Sequence, residues 1–208
     1  MALRDAAERL VAEGGPAAFS VRAVADEAGT TTRAVYALFG SADELLVDAL
    51  AQAPFEFLAD EIEKLEPTED AVADLVAVGV NVFRRLVIEH PALYRIAFQR
   101  IVHNLRPGPE LTAARERAFA ALLGRVERLR DSGGLGGKEV LEAAVEFNAM
   151  LEGLANAELR GAVFRNLPEG GEQEAWRAAL TTLVRGFGVA ERRPASRAAP
   201  VRRRSGAR

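Results

Sequence analysis

Cysteine is absent from all 208 residues, so disulfides and thiolate chemistry are excluded, and the composition suits a reducing compartment. Histidine is scarce: only His90 and His103 occur. Neither belongs to an H-E-x-x-H pair, no G-x-S-x-G elbow is present, and no strand, glycine turn and helix can be assembled into a dinucleotide fingerprint. The carboxylate pairs Glu61/Glu63 and Glu142/Glu146 read as solvated faces. The sequence thus offers no catalytic residue, no metal site and no cofactor motif, and an enzyme is not expected. No apolar run approaches the roughly 18 residues of a membrane span. The start, from Met1 to Asp5, lacks the basic-then-apolar order of a secretory signal. The expectation is a cytoplasmic protein with no membrane partner.

Positive charge is also scarce at the front. Residues 1–50 hold four arginines (Arg4, Arg9, Arg22, Arg33), no lysine and eight carboxylates. The formal net charge of -3 hides a segregation, because residues 191–208 carry seven arginines against one glutamate. That last stretch has no periodicity and too little apolar content to order itself, and reads as a disordered basic tail. If it touches phosphates, its removal should flatten the salt dependence of nucleic-acid binding by about 0.9 per contact in log-log slope.

What is present is helical spacing from end to end, which predicts an all-α fold. Leu3, Ala6, Ala7, Leu10 and Val11 form a first amphipathic helix, stopped by Gly14-Gly15-Pro16. Ser20 is a good N-cap for a second helix carrying Val21, Val24, Ala25 and Ala28, and Gly29 suits a left-handed helix end. Thr30 to Thr32 can cap a short third helix with Val35 and Leu38 or Phe39 inward, leaving Thr31, Thr32, Arg33, Tyr36 and Ala37 outward. Gly40 ends it, and Ser41 to Glu44 has the form of a capping box before the next helix. A short exposed helix of this kind suits the major groove. Thr and Arg can reach base edges, while Tyr36 and the helix starts around Ser20, Arg22, Thr30 and Ser41 can hold phosphates.

The run AFSVRAVADEAGTTTRAVYALFGSADELL resembles the helix-turn-helix signature of the tetracycline-repressor (TetR) family, including the Gly29 turn, Tyr36, Phe39 and the helix start at Ser41. The resemblance covers residues 2–50. It departs from the family at Ala42, where a lysine suited to a backbone phosphate is common, and in its short lead-in. It implies a homodimeric transcriptional regulator, most simply a repressor, on a palindromic operator in double-stranded DNA.

Beyond Leu50, Pro54 and Pro67 bracket a helical segment over about 55–65. Thr68 is a plausible N-cap for a long helix through Leu75, Gly79, Phe83 and Val87, Pro91 opens a shorter one, and another spans Glu110 to about Asp131. The SGGLGG run at 132–137 fails as a phosphate loop, since that register needs glycine at 132 and Ser or Thr at 139 where Ser132 and Glu139 stand. It reads as an inter-helix connection. The last two helices, Lys138 to about Val163 and Glu172 to about Gly188, carry apolar residues on more than one face, which suggests pairing with a second copy in a four-helix bundle. The family resemblance implies the same pairing.

The resemblance also implies an effector site in this larger region. The residues available for a mostly hydrophobic small molecule are Phe83, Val87, Tyr94, Phe98, His103, Phe119, Leu123, Phe147 and Met150, with Tyr94, His103 or Asn148 to fix its orientation. The expected organisation is a DNA-binding domain over 1–50, a helical effector and dimerisation domain over 51–190, and the tail over 191–208. A helical small-molecule binder without specific DNA binding is the alternative, motivated by the acidic first domain and by Ala42.

Overall fold

The computed structural model describes residues 2–14, 18, 20–39, 42–99, 108–161 and 164–189. Ser41, with its capping box, and His103 lie outside these residues, as does the segment 191–208. Among the described residues every regular element is helical. In chain order they are α1 (Ala2–Gly14), α2 (Val21–Glu27), α3 (Thr32–Phe39), α4 (Ala42–Lys64), α5 (Ala71–Ala77), a π-helical segment (Val78–Phe83), α6 (Arg84–Glu89), α7 (Pro91–Phe98), α8 (Pro109–Asp131), α9 (Val140–Arg160), a 3-10 turn (Phe164–Asn166) and α10 (Gly171–Phe187).

The first three helices form a small head. Val21, Ala25 and Val35 are buried together, with Leu3 of α1 against them, and an Arg9–Glu27 ion pair at 2.8 Å ties α1 to the end of α2. A second buried cluster takes Ala6 and Ala7 from α1 and Val24 from α2, and joins them to Leu50, Ala51 and Ala53 of α4, to Ala92, Leu93 and Ile96 of α7, and to Leu111 of α8. Residues on both sides of position 50 therefore share one apolar contact surface.

Helix α4 is continuous from Ala42 to Lys64 and contains Pro54. The bracketing prolines suggested a new helix at about 55, but α4 runs on through the proline. Pro54 has no N–H for the carbonyl of Leu50, and its buried ring replaces that bond with packing. Farther on, the helix from Ala71 is capped by Asp70, whose side chain accepts the Ala73 N–H at 2.9 Å. Thr68, expected as the cap, instead donates its hydroxyl and N–H to the buried Asp74, at 2.7 and 2.9 Å. Burial alone would raise the Asp74 carboxyl, but these bonds and Arg128 outweigh it and hold it below the usual aspartate range.

The body packs α4 along α7 and α8, α8 on α9, and α10 on both α9 and the α5–π segment. Its core runs from Leu58, Ala59 and Ile62 through Phe83, Leu86, Val87 and Tyr94 to Phe147, Trp176 and Leu180. The 132–137 run is an inter-helix turn. Its Leu135 is buried, and a Cβ on Gly136 would meet the backbone of Phe187 and Gly188, so the turn lies tight against the end of α10.

Candidate functional sites: an exposed short helix and a cavity in the body

The turn between α2 and α3 follows from local chemistry. Gly29 has φ +65°. Its N–H donates to the Asp26 carbonyl at 3.2 Å and the Thr30 N–H to the Ala25 carbonyl at 2.9 Å, the paired bonds of a left-handed helix end. Thr31 then caps α3, its hydroxyl oxygen accepting the Ala34 N–H at 3.2 Å. Val35 faces inward with no exposed surface, so the other side of α3 is turned out: Thr30, Thr31, Thr32, Arg33, Tyr36 and Ala37 are all exposed. Tyr36 keeps 49% of its surface in solvent, which core packing does not require of an aromatic. Among the described residues Arg33 has no ion-pair partner. Ser20 caps α2 by accepting the Ala23 N–H at 3.1 Å, and Arg22 beside it is exposed, in a loose 3.9 Å pair with Asp26 of little energetic weight.

A cavity of about 440 Å³ lies in the body. Phe55, Leu58 and Ile62 of α4, Val78 and Phe83 of the π segment, Ala97 and Phe98 of α7, Arg115, Ala118, Phe119 and Leu122 of α8, and Asn148, Leu151 and Glu152 of α9 line it. Its size falls in the range of about 300–1,000 Å³ usual for small-molecule sites, and an apolar wall with few polar groups is their usual chemistry. Of the residues singled out in the sequence, Phe83, Phe98, Phe119 and Asn148 line this cavity. Val87, Tyr94 and Phe147 are buried in the core beside it, Leu123 and Met150 are partly buried against that core, and none of these five is on the wall. Tyr94 stacks on Phe98 with ring centroids 5.1 Å apart. Its phenol is buried without a hydrogen-bond partner among the described residues, and burial together with the Glu152 charge pushes its pKa up to about 12.

The α4 wall went unmarked in the sequence. The apolar face of Phe55, Leu58 and Ile62 was visible there, but its spacing describes only an amphipathic helix. Arg115 gave no local signal.

Residues 3–49 match the model of the bacterial regulatory proteins of the tetR family, and residues 75–183 match the tetracyclin repressor-like C-terminal domain. The chain belongs to the TetR family. Its place is with DNA-binding transcription regulators and not with enzymes. No curated protein sequence matches the chain. Among solved structures, a Rhodococcus sp. RHA1 protein of unknown function superposes with a TM-score of 0.75 at 23% identity, covering 89% of this chain and 93% of that one. FadR of Bacillus subtilis, solved with stearoyl-CoA, gives 0.69 at 18% identity over 89% and 98%. The TetR regulator PfmR of Thermus thermophilus gives 0.64 at 22% over 88% and 97%. At these identities the likeness to each is one of fold. For a TetR protein, the matched N-terminal segment contains α2, α3 and the turn between them, and the matched C-terminal segment contains all the described cavity wall outside α4.

Proposed function

We propose that this TetR protein is a ligand-responsive repressor, acting as a homodimer on a palindromic operator in double-stranded DNA and released by a small hydrophobic effector. The observation that carries it is the continuity of α4. One unbroken helix supports the head through Leu50, Ala51 and Ala53 and supplies Phe55, Leu58 and Ile62 to the cavity. A ligand that displaces the cavity half of α4 therefore shifts the support of the head. Ligand and DNA would then oppose each other through one reciprocal coupling, typically about 1–3 kcal/mol.

On this reading residues 1–50 are the DNA-binding unit and 51–190 the effector and dimerisation unit. The exposed face of α3 enters the major groove, with Thr32, Arg33 and Ala37 toward base edges and Tyr36, Ser20, Arg22 and the caps at Thr30 and Thr31 toward the backbone. Dimerisation has its support in the outer faces of the last two helices. Leu141 and Val145 on α9 are 58% and 55% exposed, Ala149 and Gly153 continue their row, and Ala178, Thr182 and Gly186 form an exposed row of small residues on α10. Two copies joined there present two α3 helices, which on a palindrome must sit about 34–36 Å apart or at a related spacing. In the FadR structure the fold accommodates a ligand with a long apolar tail, a precedent for an apolar effector here.

The test is titration of labelled DNA from upstream of the protein's own gene at low and moderate salt, with genomic fragment selection as the source of further operators. A sequence-specific shift is expected. Its absence at every protein concentration leaves the other reading, a helical binder without specific DNA recognition, which the excess of carboxylates over arginines in residues 1–50 favours.

A further inference from the structure

Helix α8 carries five arginines, and four of them have partners. Arg117 pairs with Asp60 and Glu63, at 2.7 Å in each case. Arg125 donates to the carbonyls of Ile62 and Leu65 at 2.6 and 2.5 Å. Arg128 donates to the Thr68 carbonyl at 2.8 Å and reaches Asp74 at 3.3 Å, and Arg130 meets Asp131 at 2.9 Å. Arg115 is different. It makes no hydrogen bond or ion pair with any described residue, and it is the one of the five that lines the cavity. Its guanidinium rests over the Phe55 ring, 5.2 Å from the centroid, and the side chain is half-buried.

A guanidinium brings N–H donors in a fixed fork and cannot discharge at neutral pH. A ligand filling the cavity strips water from those donors, which is costly unless the ligand supplies acceptors in return. A carboxylate meets the fork with two oxygens, and charge-assisted bonds of this kind are about twice as strong as neutral ones. The other charged group among the described residues of the wall, Glu152, already accepts the Asn148 amide at 2.8 Å, and it would repel a second negative charge placed on the α9 side. The apolar remainder is aromatic: Phe55 and Phe83 both meet Phe98, at ring distances of 5.0 and 5.5 Å, and Phe119 closes the α8 side.

We propose that the cavity binds a compact hydrophobic monocarboxylate, its apolar body among Phe55, Phe83, Phe98 and Phe119 and its carboxylate on Arg115. This rests on the effector-pocket reading above and gives that site its ligand class. Arg115 is then the residue that sets specificity.

Two matched series test it on the full-length protein by titration calorimetry near pH 7.5: 4-phenylbutyrate, 4-phenylbutanol and 4-phenylbutylamine, and octanoate, octanol and octylamine. The acid is expected to bind about tenfold or more tighter than its alcohol in at least one series, the size of one charge-assisted bond. Arg115→Met keeps the apolar stem and should abolish that preference while leaving the alcohol's affinity and the melting temperature as they were. Equal affinities for acid and alcohol overturn the ligand class but leave the pocket standing. Preference for the amine does the same and assigns the anchor to Glu152. An acid preference that survives Arg115→Met removes the role of Arg115. If no member of either series binds, and none alters the melting temperature, the monocarboxylate class falls, and the repressor reading is judged separately by the DNA titration above.

Discussion

Tyr36 and Arg33 share one exposed face of α3, but their chemistry suits different parts of a DNA duplex. The phenol can meet a phosphate, which every sequence offers, whereas the arginine fork can match the edge of a guanine. Tyr36→Phe should therefore weaken binding to all DNA alike, while Arg33→Ala or Thr32→Ala should change the preference between operator variants by about 1–3 kcal/mol per altered base pair; competition titrations with single-base variants read the difference. Tyr94 is a contrasting residue, a phenol with no partner in the core. Its pKa, raised to about 12, exceeds that of the unfolded chain, so the folded state keeps its proton longer. The stability this gives is fully present below about pH 10 and is lost as pH rises toward 12. Tyr94→Phe should remove that alkaline limb from the unfolding curve and leave neutral-pH stability little changed, as measured by urea unfolding at a series of pH values.

At the scale of elements, the π segment within the long α5–α6 helix is the local irregularity with the clearest cause. Gly79 sits there, and a Cβ at that position would fall within 3.0 Å of Leu180 on α10 and of Leu151 on α9. The widened turn and the bare glycine together let three helices meet closely. Gly79→Ala gains helix propensity but overpacks this crossing, and the net result should be a loss of about 1–3 kcal/mol, seen as a lowered melting temperature. None of this was legible in the sequence, because α and π turns share the same apolar spacing and the neighbours of Gly79 lie some 70 and 100 residues away. The α2–α3 turn was legible for the opposite reason: Ser20, Gly29 and Thr31 satisfy backbone groups within five residues of themselves. The cavity falls between these cases. Phe83, Phe98 and Phe119 could be singled out as apolar residues near the middle of the chain, yet spacing within one helix does not say which of its buried residues meet a void, so Tyr94 and Phe147 could not be separated from them.

For the whole molecule, the proposed dimer makes a demand on residues far from both sites. Leu141→Glu with Val145→Glu places four new charges across a two-fold contact. Sedimentation should then show a monomer, specific DNA binding should fall by two orders of magnitude or more, and the melting temperature of the monomer should change little because both side chains are exposed. The segment 191–208, with its net +6 charge, adds a second test at this scale: truncation after Val189 should reduce the salt slope of DNA binding by about 0.9 for each phosphate it contacts.

Five of the ten buried residues in the cluster where head meets body are alanines: Ala6 and Ala7 on α1, Ala51 and Ala53 on α4, Ala92 on α7. A methyl group has no rotamers to exchange, so helices that touch through alanine can slide a fraction of a turn without unlocking one side-chain arrangement to reach another. The alanine contacts form the smooth part of this joint, and Val24, Leu50, Leu93, Ile96 and Leu111 the part that interlocks. On the proposed mechanism, a displacement of α4 by a ligand would reach the head by sliding at the alanine contacts, with the interlocking side chains setting how far it can go.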